Sequence, residues 1–254
     1  MLICAAHYYF SICFMNSIEV CLSPALFEYR KTFDNCIVVI VDVLRATTAF
    51  CAAFDSGVKS VIPVLSLDEL LEYKNKGFLT AAERDGRKVD FADFGNSPVM
   101  FLKSEIKGKE LAYSTTNGTQ AIEMAKISGN IAAASFANLH VICEWLISRH
   151  MNVVILCSGW KKSFSLEDTL CAGAIADALE LSGRFESICD ATVASQKLWQ
   201  ISKDDLVQVV HEASHYKRLS GIGLYDDLRH CFILNTSSAI PVWDGLAFRD
   251  LAAK

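Results

Sequence analysis

The chain has 254 residues, of which 52% are hydrophobic and 21% are charged, and its formal net charge is −5. A chain of this length and apolar content can bury a large core, which excludes an intrinsically disordered protein. The acidic balance and the lack of any long basic run argue against a nucleic-acid partner.

Residues 1–14 are apolar and uncharged but do not match a targeting or membrane segment. They lack a basic n-region and are too short to span a bilayer. We expect them to be an N-terminal extension or an added strand, and the sequence leaves open whether Met1 or Met15 is the start. Residues 15–254 are predicted to form a single domain with no membrane segment.

The 10 cysteines are scattered, mostly within apolar stretches, and none forms a CxxC pair. In a chain this long they are typical of small buried hydrophobic residues in a reducing compartment. A cytoplasmic location is therefore expected, rather than a disulfide framework or a zinc site.

Strands and helices are predicted to alternate along the chain. Apolar, β-favouring runs predict strands at 18–22, 36–41, 60–64, 79–82, 110–113, 131–134 and 153–157, and each is followed by a helical pattern. Two helices over 190–220, a further helix and one or two late strands complete the chain. The predicted fold is α/β, a three-layer α/β/α arrangement with a mostly parallel or mixed central sheet and a helical segment after residue 185.

The strongest candidate for a binding site is the turn after the second strand, DVLRATT at 42–48. Ligands of α/β sheets bind where strands end and helices begin, because unpaired backbone N–H groups and the helix dipole converge there. The carboxylate of Asp42, the guanidinium of Arg45 and the hydroxyls of Thr47 and Thr48 could hold a metal ion and an anion together. The alternative is a loop carboxylate, a helix cap and a surface charge.

Three later segments repeat this arrangement. Glu83 and Arg84 begin a charged run after a buried strand, although a solvated hairpin tip would look similar. Residues 114–119, STTNGT, offer hydroxyls and a glycine to an oxyanion, although they contain no Walker motif. They could instead form a capped turn.

Two further candidates lie later in the chain. Glu167 and Asp168 are either dipole partners in a first helical turn or carboxylates at a metal site. In addition to these three segments, His215 and Arg218 share a helix face that could reach an anion or merely lie at a helix C-terminus.

Taken together, these turns resemble the 2-phosphosulfolactate phosphatase family, also called ComB. The resemblance extends from about residue 18 to 242 and rests on several ordered motifs: DVLRATT at 42–48, ERDGRKVDFADFGNSP at 83–98, STTNGT at 114–119, CSGW with FSLEDTLCAGA within 157–174, and SHYKRL at 214–219. It implies a magnesium-dependent acid phosphatase that hydrolyses 2-phospho-3-sulfolactate to 3-sulfolactate and phosphate, a step associated with coenzyme M biosynthesis. Trp160 follows a Cys-Ser-Gly run where members often have Cys-Ala-Gly.

The chemistry implied by the resemblance assigns roles to the candidate residues, since a phosphate monoester needs charge neutralisation and positioning. The predicted magnesium ligands are the carboxylates of Asp42, Glu83, Asp168 and Glu167. The predicted catalytic residues are Asp42, Arg45 and Arg84. The predicted substrate-binding residues are Thr47, Thr48, Ser114, Thr115, Thr116, Asn117, Gly118, Thr119, Ser158, Gly159, His215 and Arg218.

Several alternatives stay open at this stage. The nucleophile is either Asp42 or a water bound to magnesium; the position two residues after Asp42 is Leu44, which disfavours an aspartyl-phosphate. The chain could also act on another small phosphorylated acid, or be a non-catalytic anion- or nucleotide-binding module. The expected partner is a small anionic phosphorylated substrate, and homo-oligomer formation is left open.

Overall fold

The computed structural model describes residues 15–30 and 34–253. It shows one sheet of 11 strands, mixed but mostly parallel, with helices on both faces. This confirms the predicted three-layer α/β/α fold. The expectation for residues 1–14 lies outside the described residues. Within the described ranges, no helix combines the length and the apolar character that crossing a membrane would need.

The elements follow one another in a largely alternating order. The strands are β1 (Asn16–Cys21), β2 (Cys36–Val41), β3 (Ser60–Pro63), β4 (Leu79–Arg84), β5 (Arg87–Lys88), β6 (Glu110–Ser114), β7 (Ile131–Ala134), β8 (Asn152–Cys157), β9 (Phe185–Ser187), β10 (Pro241–Trp243) and β11 (Phe248–Asp250). The α-helices are α1 (Pro24–Phe27), α2 (Ala46–Asp55), α3 (Leu67–Asn75), α4 (Pro98–Leu102), α5 (Gly118–Ala125), α6 (Leu139–Arg149), α7 (Leu166–Leu181), α8 (Asp190–Ser202), α9 (Leu206–His211), α10 (Ser214–Ser220) and α11 (Tyr225–Cys231). Short 3₁₀ turns occupy Lys126–Ser128, Phe136–Asn138 and Lys203–Asp205.

The sheet contains two parallel groups joined by an antiparallel hairpin. The strand order is β5-β4-β6-β3-β11-β10-β7-β2-β8-β1-β9. Because β3 with β11, β11 with β10, and β10 with β7 all pair antiparallel, β4 and β6 run opposite to β2 and β8. Helix α5, which follows β6, nevertheless packs against β2, so the turn after β6 meets the turn after β2.

Alternation along β2 explains the three layers. Val39 and Val41 pack with α6 and α7 on one face, whereas Val38 and Ile40 pack with α2 and α5 on the other. Successive side chains of a strand point to opposite faces, so a strand that is apolar throughout must be covered on both. The eight cysteines in the described ranges are thiols, and seven of them are buried.

Several element boundaries differ from those predicted. Glu83 and Arg84 belong to β4, because the charged run forms the β4–β5 hairpin, which was the alternative that the sequence left open. The segment predicted as two helices over 190–220 forms α8, α9 and α10 with a 3₁₀ turn between the first two. The three-residue strand β9 pairs with β1 and was not predicted, since such a short run carries little periodicity.

Candidate functional site

The turn after β2 holds Asp42 at the start of α2. Its Oδ1 accepts a hydrogen bond from the backbone N–H of Ala46 at 3.2 Å, and its carbonyl accepts one from the Thr47 hydroxyl at 2.9 Å. The Thr48 hydroxyl donates to the Val43 carbonyl at 2.9 Å. These two threonines, predicted to bind substrate, therefore use their hydroxyls to fix the turn. The Asp42 Oδ2 accepts no hydrogen bond from the described residues.

A narrow cleft of about 280 Å³, including the part open to solvent, lies beside this carboxylate. The predicted residues that line it are Asp42, Arg45, Glu83, Thr115, Asn117 and His215. The remaining lining residues, which were not predicted, are Leu44, Gly86, Asn96, Trp160 and Leu219. The structure thus brings together side chains from four turns, as the sequence led us to expect.

Glu83 links the turn after β6 to the turn after β4 through hydrogen bonds of its side chain. Its Oε1 accepts the N–H of Thr116 at 2.9 Å, and its Oε2 accepts the N–H of Gly86 at 2.7 Å. The side chain is only 6% exposed. Both oxygens are committed to backbone amides, so Glu83 could contribute to a metal ion only through its remaining lone pairs.

Arg84 lies behind the cleft. Its Nη2 donates to the Ser114 hydroxyl at 3.0 Å, and its Nη1 donates to the Glu83 carbonyl at 2.7 Å. Burial lowers the pKa of this guanidinium, and the nearby Glu83 charge acts in the opposite direction. The structure places Arg84 and Ser114 in contact with each other and gives neither a position on the cleft wall. Their predicted roles in catalysis and substrate binding stay predictions.

The turn after β6 presents unpartnered hydroxyls. The Oγ1 atoms of Thr115 and Thr116 are shielded from solvent and have no hydrogen-bond partner among the described residues. The Thr119 hydroxyl, in contrast, donates to the Thr115 carbonyl at 2.8 Å. A Cβ added to Gly118 would lie 2.8 Å from the Asp42 Oδ2 and 3.2 Å from the Thr115 Oγ1. The glycine therefore allows a carboxylate oxygen and a free hydroxyl to face each other.

Asp168 sits deeper than the cleft. Its Oδ1 accepts the N–H of Val43 at 2.9 Å, and its Oδ2 accepts the N–H of Gly159 at 3.0 Å. Gly159 has a φ of +61°, and a Cβ there would lie 2.1 Å from the Ser163 carbonyl oxygen, so no other residue fits this turn. The Ser158 hydroxyl next to it is buried and has no partner in the part of the chain that the structure describes. Asp168 thus joins the turn after β2 to the turn after β8.

Glu167 forms a buried pair with His215 of α10. The distance from the Glu167 Oε1 to the His215 Nδ1 is 2.9 Å. Burial raises the pKa of Glu167, but the hydrogen bond and charge of His215 outweigh it, and the net pKa is lowered. An ionised carboxylate has no proton to donate, so the Nδ1 carries the hydrogen and the Nε2 is left for a ligand.

Arg45 is held by a residue that the sequence analysis did not single out. Its Nη1 lies 2.5 Å from the Asp227 Oδ2, and its Nη2 donates to the Gly86 carbonyl at 3.0 Å. The Ser97 hydroxyl donates to the other Asp227 oxygen at 2.6 Å. Arg45 and Asp227 are both 3% exposed. The only sequence signal for Asp227 was an acidic pair at the start of a predicted helix, which is a common surface feature.

The concentration of buried carboxylates raises the pKa of two of them. Burial is the largest cause for Asp42, whose pKa is raised to about 6; Glu83 and Glu167 also raise it, whereas His215 and the Ala46 N–H lower it. Burial, Glu167 and Asp42 raise the pKa of Asp168 well above its usual range. Among the described residues, no three His, Cys, Asp or Glu side chains are grouped as a cage for a metal ion. The donor set fits magnesium, which prefers oxygen ligands and is often held by one or two carboxylates, waters and substrate phosphate.

Known proteins resemble this chain over most of its length. The family described as 2-phosphosulpholactate phosphatase matches residues 21–245. Proteins named "Probable 2-phosphosulfolactate phosphatase" from Gloeothece citriformis and Thermotoga maritima are each 36% identical to this chain, over 80% of it and 87% of their own length. A protein of the same name from Clostridium novyi is 33% identical over 88% of this chain and 95% of its own.

Proposed function

We propose a function from one premise, namely that this chain belongs to the 2-phosphosulfolactate phosphatase family. The function is hydrolysis of 2-phospho-3-sulfolactate to 3-sulfolactate and phosphate, with magnesium as the cofactor. The protein is thus a phosphoric monoester hydrolase. A cytoplasmic location is proposed with it on the scattered cysteines, and a place in coenzyme M biosynthesis on the resemblance alone.

One observation carries the magnesium part of the proposal. The uncommitted Asp42 Oδ2 faces the unpartnered Thr115 Oγ1 across Gly118, in a cleft that also contains Arg45 and His215. A carboxylate that must ionise in a buried site gains most from a bound cation, and hydroxyls beside it suit the oxygens of an anion. This juxtaposition is what a cation shared between protein and phosphate requires.

We assign a separate role in the reaction to each group of residues in the cleft. Asp42, with Glu83 beside it, would hold magnesium, which when bound neutralises charge on the phosphate and acts as a Lewis acid. Arg45 and Thr115 would orient the phosphoryl oxygens. The His215 ring, fixed through its Nδ1 by Glu167, would present its Nε2 to the substrate. Asp168 and Arg84 would support the turns that carry these groups.

The direct test is phosphate release from 2-phospho-3-sulfolactate by the purified full-length chain. We expect turnover with millimolar magnesium and loss of turnover with EDTA, restored by adding magnesium back. A generic monoester should be hydrolysed more slowly. Absence of hydrolysis of any phosphorylated acid, together with retained anion binding, would instead favour the non-catalytic binding module.

Replacing Thr115 with Val should raise KM by about 10-fold or more, since a hydrogen bond to a charged ligand contributes about 1.5–3 kcal/mol. Valine keeps the volume and removes only the hydroxyl, which has no partner among the described residues. Steady-state kinetics of phosphate release measure the effect.

The matched control is Thr119→Val, because that hydroxyl donates to the Thr115 carbonyl. It should lower the free energy of unfolding by about 1 kcal/mol with little change in KM. Equal KM values for wild type and Thr115→Val would remove Thr115 from substrate binding.

A further inference from the structure

We infer that Trp160 and Arg218 form a subsite for the sulfonate group of the substrate at the rim of the cleft. The inference rests on the proposed function and adds to it the residues that distinguish a sulfonated substrate from other phosphorylated acids. The two residues are here called the Trp160–Arg218 pair.

The geometry of the pair comes from two separate elements. Trp160 lies in the turn after β8 and lines the cleft, with its ring centroid 5.5 Å from that of His215. Arg218 lies on α10, three residues after His215, and its Cζ is 3.5 Å from the Trp160 ring centroid. The guanidinium therefore rests on an indole that forms part of the cleft wall, next to His215. An aromatic face holds a planar guanidinium in one orientation without using its N–H donors.

Arg218 also differs from Arg45 and Arg84 in having a shielded donor nitrogen for which no partner is found among the described residues. Arg45 is paired with Asp227, and Arg84 donates to Ser114 and to the Glu83 carbonyl. The Arg218 Nη2, in contrast, is shielded from solvent and has no hydrogen-bond partner in the described part of the chain. A shielded N–H without an acceptor is costly, so an anion supplied by a ligand would satisfy it.

The ammonium group of Lys161 also lies near the Trp160 ring. The Lys161 Nζ lies 5.0 Å from the Trp160 ring centroid, and its only ion-pair partner in the described ranges is the exposed Asp85, 3.6 Å away. Two positive charges are thus gathered on one indole, and the carboxylates that act on Arg218 are the buried Glu167, the exposed Asp85 and the buried Glu83. The rim thus suits an anionic group that is different from the one held at Asp42.

The chemistry of the substrate decides which group that is. Its phosphate must lie near Asp42, where the cation and the Thr115 hydroxyl are proposed to act. Of the two remaining groups, the sulfonate has three acceptor oxygens and stays ionised at any working pH. Guanidinium is more weakly hydrated than ammonium and pairs well with such oxyanions on an apolar surface. We therefore assign the sulfonate to the Trp160–Arg218 pair.

The test compares two substrates that differ only in the sulfonate. 2-Phospholactate has the same phosphate and carboxylate as 2-phospho-3-sulfolactate but ends in a methyl group. Arg218→Gln should lower kcat/KM for the sulfonated substrate by about 10-fold or more, mainly through KM, and change that for 2-phospholactate less than about 2-fold. Lys217→Gln, a neighbouring exposed charge on α10, is the matched control and should leave both values unchanged.

Calorimetric binding of 3-sulfolactate and lactate gives a second readout that does not depend on turnover. Wild type should bind 3-sulfolactate at least about 10-fold more tightly than Arg218→Gln does, with no such difference for lactate. Failure of wild type to hydrolyse either phosphate ester would overturn the proposed function and leave this binding result to judge the subsite. Equal losses for both substrates, or 3-sulfolactate affinity unchanged in Arg218→Gln, would overturn the assignment.

Discussion

Replacing Asp42 with Asn is expected to lower kcat by about 1,000-fold or more while the fold stays intact. The variant keeps an acceptor for the Ala46 N–H but replaces a carboxylate oxygen that has no hydrogen-bond partner among the described residues. Without that oxygen the proposed cation loses its main ligand, and groups that stabilise developing charge typically contribute effects of about this size. Phosphate release at saturating substrate measures the loss.

Thermal unfolding separates this effect from misfolding. Burial penalises the ionised form of Asp42, whose pKa is raised from 3.8 to about 6. Asn cannot ionise, so the metal-free variant should be at least as stable as wild type at pH 7. Magnesium should raise the melting temperature of wild type but not that of Asp42→Asn. The exposed Asp68→Asn, in the first turn of α3, is the control with the same chemical change. Wild-type activity in Asp42→Asn would remove Asp42 from the mechanism.

The raised pKa also gives the direction of the pH dependence. Because the folded pKa of Asp42 lies above its unfolded value, the folded protein binds the extra proton, and its contribution to stability is lost as pH rises from about 4 through 6. Activity follows the opposite course, since it requires the ionised form and falls as pH drops below about 6. A higher magnesium concentration should shift the acidic limb of the pH–activity profile to lower pH.

Replacing Asp227 with Asn should lower the free energy of unfolding by about 3 kcal/mol, since breaking a buried ion pair leaves an uncompensated charge. The charge left behind is that of Arg45, which is only 3% exposed. Because Asp227 also accepts the Ser97 hydroxyl, the change loosens the contact between α11, α4 and the turn after β2. Urea unfolding measures the stability, and kcat/KM should fall as well because Arg45 lines the cleft.

Asp226, the residue before Asp227, provides a matched control. Asp226 is exposed and pairs with the exposed Arg229, so Asp226→Asn should cost less than about 1 kcal/mol. The double variant Arg45→Met with Asp227→Leu should recover most of the stability, since apolar residues can replace a buried pair. It should not recover activity. Equal stability of Asp227→Asn and Asp226→Asn would show that the ion pair does not stabilise the fold.

The sequence predicted the sheet strands best where burial is complete on both faces. Strand β2 covers Cys36–Val41, as predicted, because a run of apolar residues with this length fits only a central strand. Helix α7 covers Leu166–Leu181, and Glu167 and Asp168 lie in its first turn, which is one of the two roles that the sequence offered for them. Strand β4 extends past its predicted end at residue 82, because the pairing of Glu83 and Arg84 with β5 depends on the backbone and not on side-chain pattern.

The sequence determined which turns carry the site, because a strand that ends in acids, arginines or hydroxyls is visible in the order of residues. Asp42, Glu83 and Thr115 are therefore candidates on their positions in the chain alone. Only the tertiary structure decided what each of them does. Hydrogen bonds commit the hydroxyls of Thr47, Thr48 and Thr119, as well as both oxygens of Asp168, to the protein itself.

The contacts that the sequence could not identify are those between residues far apart in the chain. Asp227 pairs with Arg45 from 182 positions away, and Arg218 meets Trp160 only because α10 folds back over the turn after β8. Such contacts leave no periodicity or spacing in the chain, since they arise where separate elements pack. Local chemistry thus determined the candidate residues of the cleft, and packing at long range selected which of their atoms remain available to a ligand.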